Sequence, residues 1–240
     1  MIESDINEFK NELLGLSFDE ILRRGKWLLF SIGDYYLCSH LRMEGKYYTE
    51  DESKPLEKHT HVVFTFNDGT DLRYNDTRKF GRMNLVKKEN IESYEPVHKQ
   101  GIEPIDKKLS KEYLYDKFHK KRLPIKTLLL DQTIISGLGN IYANEVLFAS
   151  GINPSKLGCE INIEECQKIV DTSYKIINKA ILCGGTTIRS YTSSLGVTGN
   201  NQNNLKVHKR EGLKCFNCGN PIIKITIGGR STYYCENCQK

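Results

Sequence analysis

Through the first half of the chain, apolar and polar residues alternate in short runs. These are Lys26–Ile32, Tyr35–Met43, Val62–Asn67, Thr70–Asn75 and Arg82–Lys87, each bounded by turn residues. A two-residue period predicts β-strands, because successive side chains on a strand point to opposite faces. Asn67-Asp68-Gly69 between two of the runs predicts a hairpin, since these residues accept the positive φ of a tight turn. Ahead of the strands, Ser4–Leu14 predicts one short helix with Ile6, Phe9 and Leu13 on a single face.

In the second half the period lengthens. Ser110–Lys120 and Ile125–Leu130 predict helices, and Asn140 predicts the cap of a third, which runs to Ser150 and is stopped by Gly151. Asn162 and Glu165 form a capping-box pattern that opens a long helix to about Leu182, ended by Gly184-Gly185. Between Ser193 and Asn204 the composition turns to Gly, Asn and Ser, which predicts a surface loop. The order β then α predicts an α+β chain.

The last residues change the picture most. Cys215 and Cys218 form one Cys-x-x-Cys pair, Cys235 and Cys238 a second, and sixteen residues separate them. This spacing fits four thiolates around one tetrahedral zinc. The intervening Lys224–Tyr234 predicts a β-hairpin with Gly228-Gly229 at its turn. So small a module buries little core, and a structural zinc supplies about 10–16 kcal/mol of apparent binding energy in comparable peptides. Two disulfides in an exported protein are the competing reading. Against it, the chain starts without an apolar signal segment, and Cys38, Cys159, Cys166 and Cys183 are scattered and read as small buried residues. A reducing, cytoplasmic compartment is the expectation.

Composition adds a direction. The chain is 38% apolar with net charge +5, and no run is long enough to cross a bilayer, so no membrane partner is expected. The charge is uneven: residues 107–126 hold eight Lys or Arg against two acids, and the last forty hold seven against two. A mildly acidic body with two basic segments predicts a polyanion held at particular places.

Several short segments then resemble, in order, the formamidopyrimidine-DNA glycosylase family. They are Arg24-Gly25-Lys26-Trp27-Leu28-Leu29, His40-Leu41-Arg42-Met43-Glu44-Gly45, Lys58-His59-Thr60-His61-Val62 and Asp76-Thr77-Arg78-Lys79-Phe80-Gly81. Gly137-Leu138-Gly139-Asn140-Ile141-Tyr142-Ala143-Asn144-Glu145 is similar to its helix–two-turn–helix. Gly229-Arg230-Ser231-Thr232-Tyr233-Tyr234-Cys235 is similar to its ribbon. The resemblance implies a β-sandwich domain over residues 1–105, truncated at its start, a helical domain over 106–204 and a zinc ribbon over 205–240. It implies a monomeric, nucleoid-associated bifunctional DNA glycosylase and abasic-site lyase of base-excision repair. The partner would be duplex DNA carrying an oxidised purine (8-oxoguanine, formamidopyrimidine) or an abasic site.

The same resemblance assigns roles. Met43, Arg78 and Phe80 would fill the gap left when a damaged nucleotide is extruded from the stack. His59, Arg78 and Lys121 would contact DNA, with Lys126 and Asn140 near the phosphates or the flipped nucleotide. Lys26 and Arg230 would serve the two strand-breaking eliminations, Arg230 acting more as a phosphate clamp because a guanidinium is a poor acid. Relatives start Met-Pro-Glu-Leu-Pro-Glu, and the amine of that proline attacks the sugar. Here the start reads Met1-Ile2-Glu3-Ser4-Asp5, and Lys26 stands roughly thirty positions earlier than the family lysine. The family's first helix and strand are therefore expected to be missing, and base excision to be impaired. The segment Gly196–Gln202 resembles the loop that folds over the extruded base, without the aromatic residue more usual before the glutamine. Two rivals remain: a non-catalytic binder of damaged DNA with the same fold, and an unrelated ribbon-bearing transcription or RNA-associated factor.

Overall fold

The computed structural model describes residues 1–186 and 199–240, so residues 196–198 of the segment expected to cover the extruded base lie outside the described residues. Two compact units are present, with the division at His98/Lys99.

The first unit is a β-sandwich. Helix α1 (Ile6–Asn11) starts at Asp5, whose carboxylate accepts from the amides of Asn7 and Glu8. Strands β1 (Phe18–Arg24), β2 (Trp27–Ile32), β3 (Tyr35–His40) and β7 (Arg82–Lys87) form one antiparallel sheet in the order β1-β2-β3-β7. Strands β4 (Lys46–Asp51), β5 (Thr60–Thr65) and β6 (Thr70–Asn75) form the other, in the order β4-β6-β5. Phe30, Ile32, Leu37 and Met83 from the first sheet and Tyr74 from the second share a core with Phe9 of α1. Strand β2 is buried on both faces, because Trp27 and Leu29 point away from that core onto Val86 and onto Val97 of helix α2 (Glu95–His98).

Strands β1 and β4 were not among the expected runs. β1 reads Phe-Asp-Glu-Ile-Leu-Arg-Arg and is solvated along most of its length, and β4 keeps only half-buried tyrosines. Neither carries the buried alternation that betrays a strand. Lys26, expected to open a strand, instead tips the two-residue β1–β2 turn, where Gly25 takes φ +58°. At the opposite edge of the sheet, Ile2 bridges Met83 in parallel. Met83 N donates to Met1 O at 2.7 Å, and Glu3 N donates to Met83 O at 2.9 Å.

The second unit joins helices to the ribbon. Helices α3 (Lys111–Phe118), α4 (Ile125–Leu129), α5 (Asn140–Ser150) and α6 (Ile163–Leu182) enclose a core of Leu114, Phe118, Leu128, Val146, Leu147 and Ile169. The capping box at Asn162 and Glu165 forms as expected, and Gly151 ends α5 at φ +70°. The ribbon is the hairpin of β8 (Ile223–Ile227) and β9 (Arg230–Tyr234), with Gly228 and Gly229 both at positive φ. Phe148 at the end of α5 packs against Val207, Ile222, Cys215 and Cys235. Two expectations change here. Asn201–Asn204 forms a 3-10 turn with Asn201 buried, rather than open loop, and Cys159 is exposed.

Candidate nucleic-acid interface and metal centre

In the first unit the three residues expected to wedge into DNA come together. Arg78 points its Nη1 at Met43 Sδ, 3.2 Å away, and its guanidinium carbon lies 4.5 Å from the Phe80 ring centroid. Met43 is 69% exposed and Phe80 52%, which excludes a core role for either. Four non-glycine residues among those described have positive φ, and three flank or belong to this surface: Arg42 (+55°), His59 (+73°) and Lys79 (+56°). Such backbone costs on the order of 1–3 kcal/mol per residue and persists only where neighbours hold it. Half-buried His59 gives its carbonyl to Asp76 N at 3.0 Å.

Lys26 is exposed at its turn, beside Arg23, whose Nη1 donates to Gly25 O at 2.8 Å. His40 nearby is held neutral, its pKa lowered to about 4 by burial first and then by the charges of Arg42, Lys26 and Arg82. Glu3 pairs with Arg82 at 3.3 Å.

In the second unit, two expected residues meet at one carbonyl and a third is its chain neighbour. Ser231 O on β9 accepts from Lys126 Nζ at 2.9 Å and from Asn140 Nδ2 at 3.0 Å, and exposed Arg230 precedes it. Lys126 differs from expectation: it is fully buried, and its ammonium also reaches Thr232 Oγ1 at 2.7 Å. Burial, and after it the Arg230 charge, lower its pKa to about 8. Asn140 differs too. The residue that caps α5 is Gly139, and Asn140 takes the first helical position, with its side chain bonded to the ribbon. Lys121 is exposed in the turn after α3 and takes no part in this cluster.

The four sulfurs of Cys215, Cys218, Cys235 and Cys238 lie within 4.8 Å of one another, with Cys215–Cys238 at 3.9 Å and Cys218–Cys235 at 3.4 Å. Zinc–sulfur bonds of about 2.3 Å in a tetrahedron put the sulfurs about 3.8 Å apart, so the thiolates fit one structural zinc with no position left open. Gln239 carries this geometry to the helices. Its Oε1 accepts from Cys235 N at 3.0 Å, and its Nε2 donates to Ile152 O at 2.9 Å.

Comparison with known proteins decides the family. The formamidopyrimidine-DNA glycosylase N-terminal domain matches residues 2–83, its H2TH domain residues 100–192, and the zinc finger found in FPG and IleRS residues 212–240. A formamidopyrimidine-DNA glycosylase of Bacillus cereus is 43% identical over 235 residues, covering 98% of this chain and 85% of that protein. The chain belongs to the formamidopyrimidine-DNA glycosylase family. The corresponding protein of Halalkalibacterium halodurans is 42% identical, with 98% of this chain and 86% of that protein covered. Among solved structures, Lactococcus lactis Fpg in complex with abasic-site DNA superposes with a TM-score of 0.95 at 40% identity, over 100% of this chain and 88% of that one. MutM in complex with DNA containing carbocyclic 8-oxo-G gives 0.94 at 39%, over the same shares. As a member of this family the chain is an Fpg-type DNA glycosylase of base-excision repair, a family of glycosylases and abasic-site lyases, with one structural zinc. Among the described residues no helix is long and apolar enough to cross a membrane.

Some residues that organise this glycosylase's site carried no signal of their own in the sequence. Glu145 is buried and accepts from the amides of Lys206, Val207 and His208, so α5 holds the chain leading into the ribbon. Asn144 Nδ2 lies 2.8 Å from His208 Nδ1. In the first unit, Tyr74 and Asp76 are wholly buried, and the Asp76 carboxylate accepts from the amides of Arg78 and Gly81. A buried carboxylate is rare enough to be a cue once burial is known, but sequence spacing does not reveal burial.

Proposed function

We propose that this chain locates oxidised purines and abasic sites in duplex DNA by inserting Met43, Arg78 and Phe80 where a nucleotide has left the stack. The observation that carries this is the exposed contact chain from Phe80 through Arg78 to Met43. Apolar side chains stack on or between bases, while the guanidinium satisfies the orphaned partner base. His59 and Lys121 add backbone contacts. Arg230 and Asn140 clamp phosphate, with Lys126 behind them fixing β9. Solved relatives in complex with Fapy-dG DNA and with abasic-site DNA support the lesion class.

Family chemistry needs an amine that attacks the sugar C1′, expels the base and forms an iminium that acidifies the C2′ proton. Met1 and Glu3 bond to the backbone of Met83, and Glu3 pairs with Arg82, so this segment lies along the edge of the sheet. Lys26 is the candidate amine on this surface and supports slow cleavage of abasic sites already formed. The rival reading is a binder of damaged DNA with the same fold and no turnover. Borohydride trapping on 8-oxoguanine and abasic duplexes separates the two. A cross-link to abasic DNA that Lys26→Ala abolishes supports the lyase, and no cross-link with retained nanomolar binding supports the binder. Equal affinity for lesion and undamaged duplex at matched salt sinks both.

A further inference from the structure

We infer that Tyr74 and Asp76 are positioning residues that hold the DNA-penetrating wedge in its insertion-ready arrangement. The inference rests on the wedge reading of Met43, Arg78 and Phe80 and names what sets it.

Three separate loops bring the expected DNA contacts of the first unit to the surface. Residues 41–45 carry Met43, residues 57–61 carry His59, and residues 76–81 carry Arg78 and Phe80. All three close on one buried pair at the end of β6. The Asp76 carboxylate accepts from Arg78 N at 3.0 Å and from Gly81 N at 2.8 Å, so it spans the turn that presents Arg78 and Phe80. The backbone of the same residue takes the second loop. Asp76 N donates to His59 O at 3.0 Å, and His61 Nε2 lies 3.0 Å from Asp76 O. Tyr74 takes the first loop. Its hydroxyl donates to Asp76 Oδ2 at 3.3 Å and lies so close to Gly45 and Gly81 that a Cβ on either would run into it. The glycines that end the first and third loops thus rest on one phenol oxygen, which fixes how far apart Met43 and Phe80 sit.

This arrangement accounts for two otherwise costly features. Arg42, His59 and Lys79 hold positive φ next to the wedge, which needs an anchor that over-determines the loops. A carboxylate is also kept wholly buried. Burial opposes its charge, but the amides of Gly81 and Arg78 and the Tyr74 hydroxyl outweigh it, and its pKa lies below the ordinary carboxylate value. A fully hydrogen-bonded charge of this kind fixes geometry over a short range.

The test places 2-aminopurine opposite a tetrahydrofuran abasic analogue and follows its fluorescence as the full chain binds. Tyr74→Phe removes one oxygen and keeps the ring. It is expected to cut the rate or amplitude of the unstacking rise about tenfold, with Asp76→Asn at least as severe. Affinity for undamaged duplex and zinc content should stay near wild type for Tyr74→Phe, with the melting midpoint down by about 2–4 °C for one buried hydrogen bond. A purely structural role would instead weaken binding to both duplexes together, and that result overturns the inference. So does a rise within twofold of wild type in Tyr74→Phe, provided Met43→Ala and Phe80→Ala lose it. If those two variants also keep the rise, the wedge reading itself fails and the inference falls with it. Tyr74→Phe decides the matter alone if Asp76→Asn does not fold.

Discussion

On the proposed reading, the two units present charge to DNA in opposite ways. In the first, Met43, Arg78 and Phe80 stand out in solvent on strained loops, and the charge that organises them, Asp76, lies underneath. In the second, the cation is itself buried. Lys126 reaches through the packing to Ser231 O and Thr232 Oγ1, and thiolates around zinc pin the hairpin it holds. Exposed groups on loops can enter a stack, and buried groups on helices can only orient what lies in front of them. Each unit therefore fails differently when perturbed, and experiments can separate them.

The largest effect should come from removing zinc. The metal contributes about 10–16 kcal/mol of apparent binding, comparable with a domain's whole stability. Chelation is expected to melt the ribbon, free β9 from Lys126 and abolish DNA binding, while the sandwich keeps its protease resistance. Unchanged circular dichroism and DNA affinity after complete zinc release would contradict this.

Loss of the wedge comes next. Phe80→Ala or Met43→Ala is expected to weaken abasic-duplex binding ten- to a hundredfold, since stacking on a base contributes about 1–3 kcal/mol. The melt should hardly move, because both side chains are exposed. A fall in melting temperature that matches the affinity loss would erase the contrast between the units.

Lys126→Met sharpens the contrast. The buried ammonium faces neutral acceptors and the like charge of Arg230, so its removal should raise the melting midpoint while DNA affinity falls. The wild-type chain supplies the pH signature. The Lys126 pKa is about 8 when folded against 10.5 when free. Between those values the unfolded chain holds the Lys126 proton and the folded chain does not, so this group's contribution to stability rises as pH climbs through that window. In the methionine variant that rise should disappear.

In the first unit, His40 works at the acid end. Its pKa falls from 6.5 to about 4, chiefly through burial, so the unfolded chain takes up the proton first and stability drops as pH falls across that interval. His40→Gln should flatten the acid limb of a pH-dependent urea titration. The smallest effect concerns β1. Ile21 is 62% exposed on this strand, which ends the sheet among the described residues, and Ile21→Lys is expected to slow aggregation with little change in melt. Light scattering at matched temperature checks it.

Much of this could be read from the residues in order. The zinc ligands were legible because two Cys-x-x-Cys pairs are a local pattern and the metal's geometry is fixed. Strands β6 and β7 and helix α5 fall on the expected residues, since each buries one regular face or lies between unambiguous turn signals. Asn140 shows the limit. Its position before an apolar helix predicts a cap, yet its amide goes to Ser231, ninety-one residues away in sequence. A tertiary partner displaced the local one, and no local pattern records that partner.

By itself, then, the order of residues determined most of the element types, the metal ligands and the family motifs, all of which depend on near neighbours in sequence; strands β1 and β4 escaped it. Only the tertiary structure decided that Lys126 is buried, that Met43 touches Arg78, and that Tyr74 and Asp76 underlie three loops at once. Those facts depend on which distant segments share a core, and burial and hydrogen-bond partners exist only once the chain has closed on itself.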